Sequence, residues 1–217
     1  MAIDREIARH YARNDLAASI LGALEAAGKD MDRLTVEDLA PVDEFHVRGR
    51  PATAELAGGL GLAPGMRVLD VGCGIGGPSR YMAATCGCQV VGIDLTEEYC
   101  RVATMLAGRL GLGDRVEYRQ GDALAMPFAD ASFDAAYTQH VAMNIENKAA
   151  LYAEVARILK PGAPFGIYDL LQGEGGDVLF PVPWARDASI SFLVRPAELR
   201  PLLEGRVVPT EVICRKP

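Results

Sequence analysis

Two hydrophobic periods alternate along this chain. Near the start, Ile3, Ile7 and Tyr11, then Ile20, Leu21 and Leu24, recur at helical spacing and predict an amphipathic helix over 3–27, ended by Gly28. Thr35 with Asp38 makes a capping-box pattern for a short helix that Pro41 stops; Pro51 opens another that runs to Gly58. From Met66 the pattern changes. Runs of strand length, "MRVLDV", "CQVVGIDL", "RVEYRQGD", "SFDAAYTQHV" and "APFGIYDLL", alternate with helical stretches at about 78–85, "EEYCRVATMLAGRL" and "NKAALYAEVARIL", the last stopped by "KPG". Thr96 is placed to cap the second of these helices, whose first turn carries Glu97 and Glu98, the favourable sign for its dipole. "RPAELRPLLEG" is a last helix.

Apolar strands separated by helices imply a mainly parallel sheet buried on both faces, a doubly wound, Rossmann-like α/β fold. We divide it into an N-terminal helical cap, residues 1–60, and a sheet domain, residues 61–217. Such sheets bind ligands at the carboxyl ends of their strands, so the loops that follow the strands are the ones to read for chemistry.

Composition narrows the classes. Half of the 217 residues are hydrophobic, enough for a sizeable core. A net charge of -7 without a basic run argues against nucleic acid as a partner. No apolar stretch approaches the roughly 20 residues of a membrane span. The charged start "MAIDREIARHYARNDL" lacks a signal-peptide core, and a cytoplasmic location is expected. The five cysteines include no Cys-x-x-Cys pair and no supporting histidine cluster, so no metal site is expected. Cys73, inside a glycine loop with no histidine base nearby, reads as a small packed side chain rather than a nucleophile.

That loop, Gly72-Cys73-Gly74-Ile75-Gly76-Gly77, satisfies two patterns. Gly72, Gly74 and Gly77 fit the dinucleotide fingerprint G-x-G-x-x-G; Asp70, Gly72, Gly74 and Gly76 fit acid-x-G-x-G-x-G. Of three carboxylates near these loops, two separate them. Asp70 at the loop mouth repels a pyrophosphate and suits an amino group. Asp94, ending the second strand, accepts from ribose hydroxyls with either cofactor. Asp122, after the third strand, accepts from an adenine amino group, and the small Ala123 permits a backbone contact. Together these loops suit an adenosine that carries an amino acid.

With "VLDVGCGIGG", "VVGIDLT", "GDALAMPFADASFD" and "ARILKPGAPFGIYD" in that order, the chain resembles the class I S-adenosylmethionine-dependent methyltransferases. "DEFHVRGRPAT", "TQHVAMNIENK" and "FPVPWA" resemble the small-molecule branch that includes sarcosine/dimethylglycine N-methyltransferases. The resemblance implies S-adenosylmethionine as cofactor and S-adenosylhomocysteine as product. It places Gly72, Gly74 and Gly76 along the methionine part, Asp94 and Leu95 at the ribose, Asp122 and Ala123 at the adenine, and Gln139 and His140 beside the sulfonium. Arg50 and Thr53 would close over the cofactor. The implied acceptor is a small molecule: first an amine of the glycine, sarcosine or dimethylglycine type, otherwise a quinone or phenol methylated at carbon or oxygen. A non-catalytic cofactor-binding relative is the remaining alternative.

On the acceptor side, His140 is the candidate catalytic base, since an ordinary histidine titrates near neutrality; its alternative is packing on the cofactor. His46 faces substrate from a lid, or packs. The long connection "QGEGGDVLFPVPWARDASISF" offers Trp184 as a wall for a methylated ammonium and Arg186 for a substrate carboxylate, or else is an ordinary insert. Asn144 contacts substrate or caps the next helix. After "LRPLLEG" only "RVVPTEVICRKP" remains, at most one short strand, whereas this fold usually ends in a further strand and an antiparallel hairpin. The shortened end leaves the fifth strand as an exposed edge or covers it with a second subunit, in a homodimer.

Overall fold

The structure, a computed structural model, describes residues 6–7 and 15–204 and the backbone of 208–213. Strands β1 (Arg67–Val71), β2 (Gln89–Asp94), β3 (Val116–Gln120), β4 (Ala135–Gln139), β5 (Pro164–Tyr168) and β6 (Val208–Ile213) form one sheet in the order β3-β2-β1-β4-β5-β6. Every pairing is parallel, as the apolar runs predict. Helices α1 (Leu16–Ala26), α2 (Val36–Asp43), α3 (Arg50–Gly59), α4 (Gly77–Cys86), α5 (Glu97–Arg109), α6 (Lys148–Ile158) and α7 (Pro196–Leu203) flank it.

Side chains alternate along β1, β2, β4 and β5, and both faces of these strands are buried. Leu69, Val71, Ile93, Phe165 and Ile167 pack with Leu151, Val155 and Leu203 of α6 and α7. Val68, Val90, Ala135 and Tyr137 pack with Leu56 of α3 and Met82 of α4. A third apolar cluster joins the N-terminal helices to the rest: Leu16, Ile20 and Leu24 of α1 and Leu39 of α2 meet Ile75, Val102 and Leu106. Among the described residues no helix is long and apolar enough to cross a membrane.

Several local expectations are met and several are corrected. Gly28 ends α1 at φ +71, with Lys29 N–H donating to Leu24 and Gly28 N–H to Glu25, a Schellman closure. Ile3 and Tyr11, predicted on the same helix, lie outside the described residues. The Thr35–Asp38 capping box is present. Pro41 does not stop α2, which continues to Asp43: the proline removes one internal hydrogen bond, and the last turn is held instead by Arg80, 2.6 Å from the Asp43 carboxylate. Thr96 occupies the N-cap of α5, but its side chain makes no cap bond. Residues Val208–Ile213 add one strand, β6. Because β6 pairs with β5 along Pro164–Tyr168, β5 is not an edge, and the reason for expecting a second subunit falls away.

Candidate active site

The chain reverses its direction of travel across the sheet between β1 and β4, and the groups with chemistry collect at the carboxyl ends of these two strands. The glycine loop leaves β1 there. Gly72, Gly74 and Gly76 all sit at positive φ, +75, +52 and +78. At Gly72 and Gly76 a Cβ would also collide with Val141 and Tyr118. At Gly74 it would meet nothing within 4 Å, so this is the glycine whose missing side chain leaves room at the loop surface. Gly77 serves packing. A Cβ there would lie 2.6 Å from Asp43, so the close approach is to the end of α2.

Side chains fix the loop from three directions. Asp94 accepts Gly74 N–H at 2.9 Å through one oxygen and Thr96 N–H at 2.8 Å through the other. Tyr118 donates its hydroxyl to the Gly76 carbonyl at 3.1 Å. Arg80, fully buried, donates to the Ile75 carbonyl at 2.5 Å while holding Asp43. Cys73 is packed beneath the loop with its thiol pushed well up by burial, which agrees with a structural role.

Asp70 departs from its expected place at the loop mouth. It is 2% exposed and takes the Ser79 hydroxyl at 2.6 Å, tying β1 to α4 from below. Burial pushes its pKa from 3.8 up to about 6. Between those values the folded protein holds a proton that the unfolded chain has released. The stabilisation is therefore full below about pH 4 and lost as pH rises through about 6. At about 1.4 kcal/mol for each unit, the loss is about 3 kcal/mol. Asp70→Asn should gain that much relative to the native chain between about pH 4 and pH 7. Urea unfolding at both pH values measures it, and a constant difference between the two proteins would refute the assignment.

Gln139 ends β4 and Tyr168 ends β5, opposite each other in register. Over them lies the segment from Glu44 to Thr53. Its residues alternate: the Glu44 and His46 side chains are buried, while Phe45 and Val47 are exposed. Glu44 lies 2.7 Å from His46 Nε2, accepts the Thr53 hydroxyl at 2.8 Å and lies 2.7 Å from Arg50 Nε. Arg50 also covers the Tyr81 ring at 4.6 Å. Gln139 Nε2 lies 3.4 Å from Thr53 Oγ1 and 3.3 Å from His46 Nε2. The Tyr168 hydroxyl donates to the Val47 carbonyl at 2.8 Å. The three rings of His46, His140 and Tyr168 touch one another at centroid distances of 5.4–5.9 Å.

His140 is thus brought to the site, in the left-handed region at φ +54 and stacked on Tyr168. Its expected basicity is corrected. Burial, reinforced by the neighbouring His46, pushes its pKa down to about 4, so at neutral pH it is an uncharged ring and a weak proton acceptor.

Three expected substrate contacts are employed elsewhere. Asn144 donates to the carbonyls of Trp184 at 2.9 Å and Ile190 at 2.7 Å, and the following helix is capped by Asn147. Lys148 donates to the carbonyls of Ala142, Ile145 and Phe192. Together they button the 172–192 connection onto the β4–α6 loop. Trp184 donates to Ser191 at 3.1 Å, and the exposed Arg186 is paired with Glu6 and Asp187. On the cofactor side, Asp122 accepts Leu124 N–H through one oxygen, and Leu95 and Ala123 are half-buried. Sequence reasoning missed Glu44 and Tyr168. Tyr168 had a signal, since it ends a strand beside Gln139; Glu44 had only its neighbour His46.

A family profile described as "Methyltransferase domain" matches residues 69–167, from β1 through β5. Residues 69–167 are therefore similar to a methyltransferase domain. The sheet around it has the class I methyltransferase architecture. The structure of the [4+2]-cyclase SpnF superposes with a TM-score of 0.63 at 28% identity, covering 72% of this chain and 56% of that one. Phosphoethanolamine N-methyltransferase 2 of Haemonchus contortus, solved with S-adenosyl-L-methionine, superposes with a TM-score of 0.65 at 26% identity, covering 75% of this chain and 37% of that one. In sequence, a sterol 24-C-methyltransferase of Gibberella zeae is 42% identical over 116 residues, 54% of this chain and 30% of its own length. The chain therefore matches about a third of the length of such relatives.

Features of this region fit S-adenosylmethionine: room over Gly74, a carboxylate at the end of β2, and the buried Gln139 Oε1, which has no hydrogen-bond partner among the described residues.

Proposed function

We propose that this chain transfers the methyl group of S-adenosylmethionine to a carbon of an alkene-bearing small molecule of the isoprenoid class. The observation that carries this reading is the 42% identity to the sterol 24-C-methyltransferase. When bound, the cofactor would supply a methyl group made electrophilic by the sulfonium: in-line attack by the acceptor's π electrons breaks the S–CH3 bond, releases S-adenosylhomocysteine and leaves a cation on the acceptor that is neutralised by loss of a proton. Gly72, Gly74 and Gly76 line its methionine part, Asp94 with Leu95 takes the ribose, and Asp122 with Ala123 takes the adenine. The protein's contribution is alignment in a site shielded from water. His46, His140 and Tyr168 cluster there, with His140 and Tyr168 stacked on each other, and an outer ring face of the cluster would stabilise the positive charge that grows on the acceptor carbon. An uncharged His140 adds no repulsion to a cationic cofactor.

An amine acceptor is the second reading, favoured by the likeness to a phosphoethanolamine N-methyltransferase. A labelled-methyl assay separates the two. Sterol and linear prenyl alkenes are offered in one series, sarcosine, dimethylglycine and phosphoethanolamine in the other, and the product bond is read by carbon NMR. Label in a new C–CH3 bond is the expected result. Label on nitrogen establishes the second reading, and cofactor binding without label in either series removes both.

A further inference from the structure

Gln139 is 8% exposed, yet its Oε1 has no partner among the described residues, whereas its Nε2 faces Thr53. A buried acceptor left unpaired costs about 1–3 kcal/mol. Its orientation has a cause one side chain further on, at Glu44. Burial acts to raise the Glu44 pKa, but the His46 and Thr53 hydrogen bonds and the charge of Arg50 outweigh it and hold this carboxylate below its ordinary range. An ionised carboxylate only accepts hydrogen bonds. The Thr53 hydroxyl must therefore donate to Glu44, at 2.8 Å, and turn a lone pair towards Gln139. The amide nitrogen of Gln139 is the end that can donate to that lone pair; a flipped amide would set oxygen against oxygen. Oε1 is thereby turned away from the relay.

We propose that Glu44 is a positioning residue that acts through Thr53 to present Gln139 Oε1 to an N–H or O–H of a bound ligand. This rests on reading the site as one of methyl transfer. Two ligands carry such a donor: the cofactor, through the ammonium of its amino-acid part, and a methyl acceptor, through a hydroxyl or amine. His46 braces the relay from the side, its ring held by the same carboxylate and 3.2 Å from the Thr53 hydroxyl.

The test uses Thr53→Val, which keeps the shape and removes the hydroxyl, with Thr53→Ser as the rescue. Glu44→Gln replaces Thr53→Val if the latter does not fold. Calorimetry is run with S-adenosylmethionine and with 5′-methylthioadenosine, which lacks the ammonium. A cofactor role predicts that Thr53→Val binds S-adenosylmethionine about tenfold more weakly, the loss of one charge-assisted hydrogen bond, with 5′-methylthioadenosine unchanged. An acceptor role predicts unchanged cofactor binding and an acceptor KM raised about tenfold at constant kcat. In either case Thr53→Ser restores the native value. The relay is overturned if both constants stay native in Thr53→Val, or if Thr53→Ser behaves like Thr53→Val. The Gln139 side-chain amide NMR signals of the ligand-free protein supply a readout independent of turnover. If they move in Thr53→Val while the native chain methylates nothing, the relay stands and the methyl-transfer reading fails.

Discussion

Replacing Asp94 with alanine is expected to weaken S-adenosylmethionine binding about 100-fold, measured by calorimetry. The size follows from two losses at one position. Asp94 is the carboxylate at the end of β2 that we assign to the ribose hydroxyls, and hydrogen bonds to a charged group are worth about 1.5–3 kcal/mol. It is also the acceptor that holds Gly74 N–H at 2.9 Å and Thr96 N–H at 2.8 Å, so alanine frees the glycine loop as well as removing the contact. A combined loss of about 2.7 kcal/mol is the hundredfold. Asp122→Ala should cost far less, because that carboxylate lies nearer to water, which competes for any adenine contact. Binding by Asp94→Ala within about threefold of native would remove the ribose assignment, and equal losses at Asp94 and Asp122 would show that charge alone sets the affinity.

Features legible in the sequence were those set by local rules. The parallel sheet follows from apolar runs separated by helices, and the conformation of Gly72, Gly74 and Gly76 follows from a spacing that only glycine permits. The Thr35–Asp38 box closes within one turn and needs no tertiary information. The errors share one cause: burial and partner choice across long separations. Asp70 sits in the motif where expected, but Ser79 on the following helix draws its carboxylate beneath the loop. His140 keeps its position and loses its basicity, because Tyr168 and His46 desolvate it from other elements. Asn144 looks like a cap in a local reading; its real partners, Trp184 and Ile190, are 40 and 46 residues away. The Glu44–Thr53–Gln139 relay spans the cap and the sheet, and no spacing rule connects those three positions.

The same distance problem hides the most consequential pair for stability. Arg80→Met is expected to destabilise the chain by about 3–5 kcal/mol in urea unfolding at neutral pH, the usual cost of leaving one member of a buried ion pair alone. Both side chains of the Arg80–Asp43 pair are 0% exposed and 2.6 Å apart, and the other Asp43 oxygen has no hydrogen-bond partner among the described residues. Methionine fills much of the volume but leaves Asp43 charged in an apolar surrounding, and it removes the donor to the Ile75 carbonyl of the glycine loop. Acidification should shrink the deficit, because the stranded carboxylate binds a proton more readily in the folded chain than in the unfolded one. The double variant Asp43→Asn, Arg80→Met should recover most of the loss, since no uncompensated charge remains. If instead the double variant is as unstable as Arg80→Met alone, the cost lies in the loop carbonyl and not in the stranded charge. The recovery therefore decides whether Asp43 and Arg80 join the cap to the cofactor loop as a charge pair or only as two packed side chains.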